Sequence, residues 1–156
     1  MTATTRNRDW DVLVSPWHLD ERLDRFPIPE HAITLDSPLP ATAGAEQAML
    51  ERYRLTADAT ASARRPLLLS GDCLTAVGIL AGMQHRHPDV AIVWLDAHGD
   101  FNTPQITTSG YLAGMSLAML TGRSPAPFGG PLRLRPVPDD AVVLIDARDL
   151  DPAERL

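Results

Sequence analysis

Cysteine is nearly absent from this sequence, with Cys73 the single example among 156 residues. One thiol cannot form an internal disulfide, so the disulfide-rich scaffolds of small secreted domains are excluded and a reducing compartment is favoured. Basic residues are also few: 14 Lys and Arg stand against 20 Asp and Glu, a formal charge of -6 with no basic stripe to contact phosphates. We therefore expect no nucleic-acid partner.

Long apolar runs are missing as well. No stretch approaches the roughly 20 residues that a membrane-spanning helix needs, and residues 1–9 lack the apolar segment of a secretory signal. These absences predict no membrane association and a cytoplasmic location. The hydrophobic fraction of 44% and charged fraction of 22% are those of a globular protein, and the absence of repeats or composition shifts predicts one domain over residues 1–156.

Short apolar runs alternate along the chain with stretches of helical periodicity. The pattern predicts strands over 11–15, 32–35, 66–69, 91–95 and 141–145, and helices over 45–63, 75–85 and 110–120. Several runs, such as the one that ends at Leu95, are continuous rather than alternating, which is typical of strands buried on both faces. The sequence therefore predicts an α/β fold with an open, doubly wound and mainly parallel sheet.

Three potential metal ligands, Asp96, His98 and Asp100, follow directly after a predicted strand. In an extended backbone, side chains two residues apart point the same way, and ligands of open α/β sheets bind at the carboxyl ends of strands. Two carboxylates and one imidazole favour a divalent ion, manganese above all, with zinc, iron or cobalt as alternatives. The competing interpretation is an acidic turn in which Asp96 or Asp100 caps the next helix.

A second polar segment, Ser-Gly-Asp-Cys at residues 70–73, also ends a predicted strand. Cys73 is a candidate fourth ligand that would suit softer ions than manganese, or else an inert buried apolar group. Asp72 either caps the following helix or orients a metal ligand.

Taken in order, these segments resemble the ureohydrolase family, which contains arginase, agmatinase and formimidoylglutamase. Residues 70–73 resemble its Gly-Gly-Asp-His segment, and Asp-Ala-His-Gly-Asp at 96–100 matches its Asp-Ala-His-x-Asp segment. Residues 102–104 and 109–114 resemble the continuation found in arginase, and residues 147–154 resemble the family's Gly-Arg-Asp-x-Asp-x-x-Glu stretch.

The resemblance extends from about Trp10 to the end of the chain. It implies an arginase-like α/β fold that hydrolyses a guanidino-type carbon–nitrogen bond of a small molecule. It also implies two manganese ions and a manganese-bound hydroxide as the attacking group.

The resemblance further implies a role for each matching residue. Asp96 would bridge both ions, and His98 would bind one of them. Asp100 would help to hold the other ion and the attacking hydroxide, as the catalytic carboxylate. Asn102 and Ser109 would contact the substrate.

The sequence departs from the family pattern at several positions. Cys73 stands where the family has a histidine ligand, and Tyr111 and Ala113 stand in the stretch that carries arginase's proton-shuttle histidine. The sequence ends before the family's Ser-x-Asp-x-Asp-x-x-Asp-Pro stretch. We therefore expect a truncated form of the fold, one manganese ion or none, and self-association through an exposed sheet face.

Two alternatives stay open. The first is a truncated or degenerate, non-catalytic family member that at most binds one divalent ion. The second is a complete small α/β binding module.

Overall fold

The computed structural model describes residues 10–36, 43–124 and 128–155, so the predicted lack of a signal segment at residues 1–9 lies outside it. The strands and helices follow in this order: β1 (Asp11–Ser15), β2 (Trp17–His18), β3 (Glu21–Arg22), β4 (Ile33–Thr34), α1 (Ala45–Ser62), β5 (Pro66–Ser70), α2 (Ala76–Gln84), β6 (Ile92–Leu95), α3 (Ser116–Leu120) and β7 (Val142–Ile145). Short 3-10 helices lie at Cys73–Thr75, Leu112–Met115, Asp139–Ala141 and Pro152–Glu154.

The strands form two parallel sheets and one small hairpin. The first sheet has the order β4-β1-β5, with Leu13 opposite Leu68, and the second pairs β6 with β7, with Trp94 opposite Leu144. All five predicted strands are present, and the α/β class with mainly parallel strands is confirmed. The antiparallel β2-β3 hairpin was not predicted, because strands of two residues are too short to show an alternating pattern.

The predicted burial of the apolar runs on both faces is wrong for β6 and β7. Along each strand, half-buried residues alternate with exposed ones. Trp94 and Leu144 pack against the core, whereas Val93 and Leu95 are 70% and 74% exposed and Val143 is 54% exposed. A continuous apolar run shows that a strand can be covered on both faces, as β1 is at Leu13 and Val14, but in the described part of the chain β6 and β7 are covered on one face only.

The helices agree with the predictions in two cases and partly in the third. The predicted helix over 45–63 is α1, and that over 75–85 is α2, preceded by a 3-10 turn. The stretch 110–120 is α-helical only from Ser116, because its first half forms a separate 3-10 helix after the extended Tyr111. None of the described helices is both long and apolar enough to cross a membrane.

The α1-α2 contact is close because α2 presents glycines to α1. A Cβ placed on Gly78 would lie 2.7 Å from the carbonyl oxygen of Tyr53, and one on Gly82 would lie 2.3 Å from that of Ala57. Helix backbones approach this closely only where side chains are absent. The contact seats Val77 in the hydrophobic core.

We predict that Gly82→Ala lowers the free energy of unfolding by about 1–2 kcal/mol. The overpacking cost, typically about 1–3 kcal/mol, exceeds the gain in helix propensity, which is at most about 1 kcal/mol. Urea unfolding measures the change. Gly130→Ala is the matched control, because a Cβ at Gly130 meets nothing within 4 Å; equal stability of the two variants would contradict the prediction.

Candidate metal centre

The carboxyl ends of β5 and β6 bring three potential metal ligands together. Cys73 opens the 3-10 helix that follows β5, Asp96 directly follows β6, and Asp100 lies in the next loop with a φ of +52°. One ligand atom from each of these residues lies within 4.8 Å of the other two. We call this group the three-residue cluster.

His98 lies beside the cluster and orients Asp96. Its backbone N–H donates to Asp96 Oδ1 at 2.9 Å, and its Nδ1 lies 3.0 Å from the same oxygen. The other carboxylate oxygen of Asp96, Oδ2, faces Cys73 Sγ at 4.0 Å. The His98 side chain is 62% exposed.

The expected extended backbone over residues 96–100 is wrong, because β6 ends at Leu95, the chain bends at 97–98 and Asp100 is left-handed. The three predicted ligands therefore do not all point the same way. Asp96 and Asp100 converge with Cys73, whereas His98 is not part of that group. Metal binding by His98 stays a prediction.

Asp100 is the buried member of the cluster. It is 5% exposed, and its Oδ2 has no hydrogen-bond partner among the described residues. Burial and the neighbouring charge of Asp96 together raise the pKa of Asp100 to about 6. Burial and the same carboxylates raise the pKa of the Cys73 thiol to about 12. A cation between these groups would offset both effects, because it stabilises their charged forms.

Asp72 holds the Cys73 end of the cluster in place. Its Oδ1 accepts a hydrogen bond from the backbone N–H of Thr75 at 3.0 Å, and its Oδ2 accepts one from Leu19 N–H at 2.6 Å. Of the two interpretations left open by the sequence, capping is confirmed, because both oxygens serve backbone donors.

A cleft of about 220 Å³ opens beside the cluster. It brings the predicted substrate residues together with two predicted ligands, and its lining is His98, Asp100, Asn102, Ser109, Tyr111, Gly114, Asp149, Asp151 and Glu154. Asn102 Nδ2 donates to Asp151 Oδ2 at 2.9 Å, and Ser109 Oγ accepts a hydrogen bond from Tyr111 N–H at 3.2 Å.

Sequence reasoning assigned no role to three acidic residues of this cleft, Asp149, Asp151 and Glu154. Glu154 joins two segments, since its carboxylate accepts from Phe101 N–H at 2.9 Å and from Asp151 N–H at 2.9 Å. The sequence signal for these residues is the Arg-Asp-x-Asp-x-x-Glu pattern at 148–154, which by itself does not indicate that they line the cleft.

Tyr111 is another cleft residue for which the sequence predicted no contact. Its hydroxyl lies 2.8 Å from His18 Nε2, and the two rings stack with centroids 6.0 Å apart. This contact between residues 93 positions apart joins the β2-β3 hairpin to the cleft.

The lining of the cleft is acidic, with four carboxylates and one imidazole. Such a surface attracts cations and repels anions. A divalent metal ion or a cationic group such as a guanidinium suits it.

Comparison with known proteins identifies relatives among arginases and a related amidinohydrolase. The family model described as Arginase family matches residues 9–156. An arginase of Staphylococcus aureus is 39% identical over 92 residues, which are 59% of this chain and 30% of that protein. An N(omega)-hydroxy-L-arginine amidinohydrolase of Streptomyces lavendulae is 38% identical over 89 residues, covering 57% of this chain and 31% of that protein.

Solved structures of arginases also match, and the matches cover a larger share of this chain. The arginase from Bacillus caldovelox matches with a TM-score of 0.71 and 26% identity, over 94% of this chain and 60% of that chain. The arginase from Bacillus cereus matches with a TM-score of 0.64 and 33% identity, over 69% of this chain and 39% of that chain. The matched part thus spans less than a third of these curated relatives and at most 60% of these solved chains.

We predict that Asp100→Asn stabilises the metal-free protein near pH 7, because it removes a buried charge and keeps the shape of the side chain. The pKa of about 6 in the folded state lies above the ordinary value of 3.8, so the folded state binds the proton more tightly. The destabilisation by Asp100 is therefore complete above about pH 6 and fades toward about pH 4. The stability gained by Asp100→Asn should follow the same pH dependence.

Thermal unfolding with chelator present measures this gain, at roughly 2–4 °C for each kcal/mol. Asp89→Asn is the control, since the Asp89 side chain is exposed and the change relieves no buried charge. A wild-type protein more stable than Asp100→Asn at neutral pH would contradict the prediction.

Proposed function

Because the chain belongs to the arginase family, we propose that it is a ureohydrolase-type metallohydrolase acting on a guanidino carbon–nitrogen bond of a small cationic molecule. One observation carries the proposal: Asp100 belongs both to the three-residue cluster and to the acidic cleft. A hydrolase of this type needs its metal ligands and its substrate pocket to share a boundary, so that water and substrate meet there.

The residues present fit one divalent ion. The unpartnered Oδ2 of Asp100 and the Oδ2 of Asp96, which has only a weak contact with Cys73 Sγ at 4.0 Å, are hard donors of the kind that manganese takes, and Cys73 adds a sulfur. With His98 alongside, the described residues offer donors for one ion rather than for two six-coordinate ions. When bound, the ion supplies a water of lowered pKa and positive charge near the reacting carbon.

The protein's own groups would perform the remaining steps. The carboxylate of Asp100 would accept the proton of the attacking water at whichever of its oxygens does not hold the ion. Asn102 and Ser109 bind the polar end of the substrate, and the carboxylate of Asp149 faces its cationic end. Ala113 is 4% exposed and offers no proton donor, so we propose a slow enzyme, since loss of a general acid typically costs about 10²–10⁴-fold in rate.

We predict urea release from arginine, agmatine or a related guanidine after metal loading. Asp100→Asn should lower kcat/KM by about 100-fold or more, because it removes both a ligand and a proton acceptor. The control is Asp89→Asn, an exposed acidic residue at the opposite end of β6. Equal urea release by the two variants, or none from the metal-loaded wild type, would contradict the proposed activity.

A second candidate function is a non-catalytic family member that binds one ion and associates with other copies of itself. The observation that favours it is the exposed apolar row of Val93, Leu95 and Val143, because contiguous apolar surface of this kind is a mark of interfaces. The same row would support self-association of an active protein.

We predict that the purified chain, of 17.0 kDa, elutes as a dimer or larger species. Val93→Lys with Leu95→Lys should shift it toward monomer, since charge on a sheet face opposes association. Light scattering after size exclusion measures the mass. Ile106→Lys, an exposed apolar residue outside the sheets, is the control; a monomeric wild type would end this proposal.

A further inference from the structure

We propose that Cys73 is a metal ligand, and that its sulfur makes the three-residue cluster a single-ion site that favours a thiophilic divalent ion, zinc or cobalt, over manganese. The inference rests on the metal site of the proposed function. It goes further by naming the class of ion and the residue that selects it.

The distances suit one shared ion. Cys73 Sγ and Asp96 Oδ2 are 4.0 Å apart, too far for a strong hydrogen bond. At the tetrahedral angle, zinc–sulfur bonds of about 2.3 Å and zinc–oxygen bonds of about 2.0–2.2 Å place two donors of one ion about 3.3–3.7 Å apart. The ligand atoms of the cluster, all within 4.8 Å of one another, therefore need to approach by up to about 1–1.5 Å to share an ion, a movement that side-chain rotation can supply.

A second observation points to a ligand independently of the cysteine. Asp100 is more than nine-tenths buried, and its Oδ2 has no hydrogen-bond partner among the described residues. A buried carboxylate oxygen left unpaired is costly and calls for an explanation. A cation held jointly with Asp96 and Cys73 provides one.

His98 supports the arrangement from outside the cluster. Both of its contacts go to Asp96 Oδ1, so the other oxygen of Asp96 is turned toward Cys73. Contacts of this kind orient ligands and tune metal affinity. His98 is therefore a positioning residue in this proposal.

The chemistry of the donors selects the ion. Manganese prefers an octahedral set of oxygens, whereas zinc accepts four ligands that include thiolate. Two carboxylates and one sulfur leave a fourth position for water or substrate. As the sulfur–metal bond forms, the Cys73 thiol loses its proton to solvent, so charge and atoms balance.

Cobalt titration tests the proposal directly. The full chain, reduced and stripped with a chelator, is titrated with Co²⁺ while absorbance is recorded. We expect a sulfur-to-cobalt charge-transfer band in the near ultraviolet that saturates at one equivalent. Cys73→Ser should abolish the band and weaken zinc binding by about tenfold or more, since even loss of an outer contact costs about 10–100-fold.

The ratio of zinc to manganese affinity is the second readout. Zinc binds almost any such site more tightly than manganese, so the wild-type ratio alone decides nothing. We expect the ratio to fall in Cys73→Ser and in Cys73→His, because both variants remove the sulfur. Unchanged ratios in folded variants would overturn the proposal.

The wild-type chain allows a test that needs no variant, because Cys73 is its single thiol. Zinc at saturation should protect that thiol from alkylation far more than manganese at equal occupancy. Saturating cobalt without a sulfur band would overturn the inference even if the protein releases urea. A sulfur band in a protein that releases no urea would support it and count against the proposed function alone.

Discussion

The position of one buried carboxylate, Asp100, constrains much of the surrounding structure. Its backbone is left-handed, and its buried side chain lies beside Asp96 and Cys73. Burial makes the charged form of Asp100 unfavourable, and no described group donates to its Oδ2. Such an arrangement persists because the rest of the fold holds it, and it is typical of sites that bind an ion.

The acidic side chains around the site have two different roles. Asp72 and Glu154 each accept two backbone hydrogen bonds, and each joins segments that lie 53 residues apart in the sequence. They fix the loops at the carboxyl ends of the strands. Asp100 keeps its Oδ2 without a hydrogen-bond partner among the described residues, and the Oδ2 of Asp96 has only the weak contact with Cys73 Sγ. The hydrogen bonds of Asp72 and Glu154 thus hold in place the loops beside Asp96 and Asp100.

The sequence predicts the positions of the strands and helices better than it predicts their burial and tertiary contacts. Local apolar runs were enough to place β1 and β6, because strand formation leaves a local signal. The exposure of Val93 was not predictable, since it depends on which layers cover the sheet. The convergence of Cys73 with Asp96 likewise depends on how β5 and β6 lie in space, and these strands belong to separate hydrogen-bonded sheets. Glu154 belonged to a visible motif, but no pattern stated that it would reach Phe101.

The separation of the two sheets has a mechanical consequence. Cys73 is attached to the β4-β1-β5 sheet, and Asp96 and Asp100 to the β6-β7 sheet, so an ion shared among them is a cross-link that closes a loop of 23 residues. An ion that binds only the folded chain stabilises it by mass action, and here it does so at the junction where described strands share no ladder. The availability of metal would then affect how stably the two sheets are held together. The cation would stabilise the fold as well as take part in the reaction.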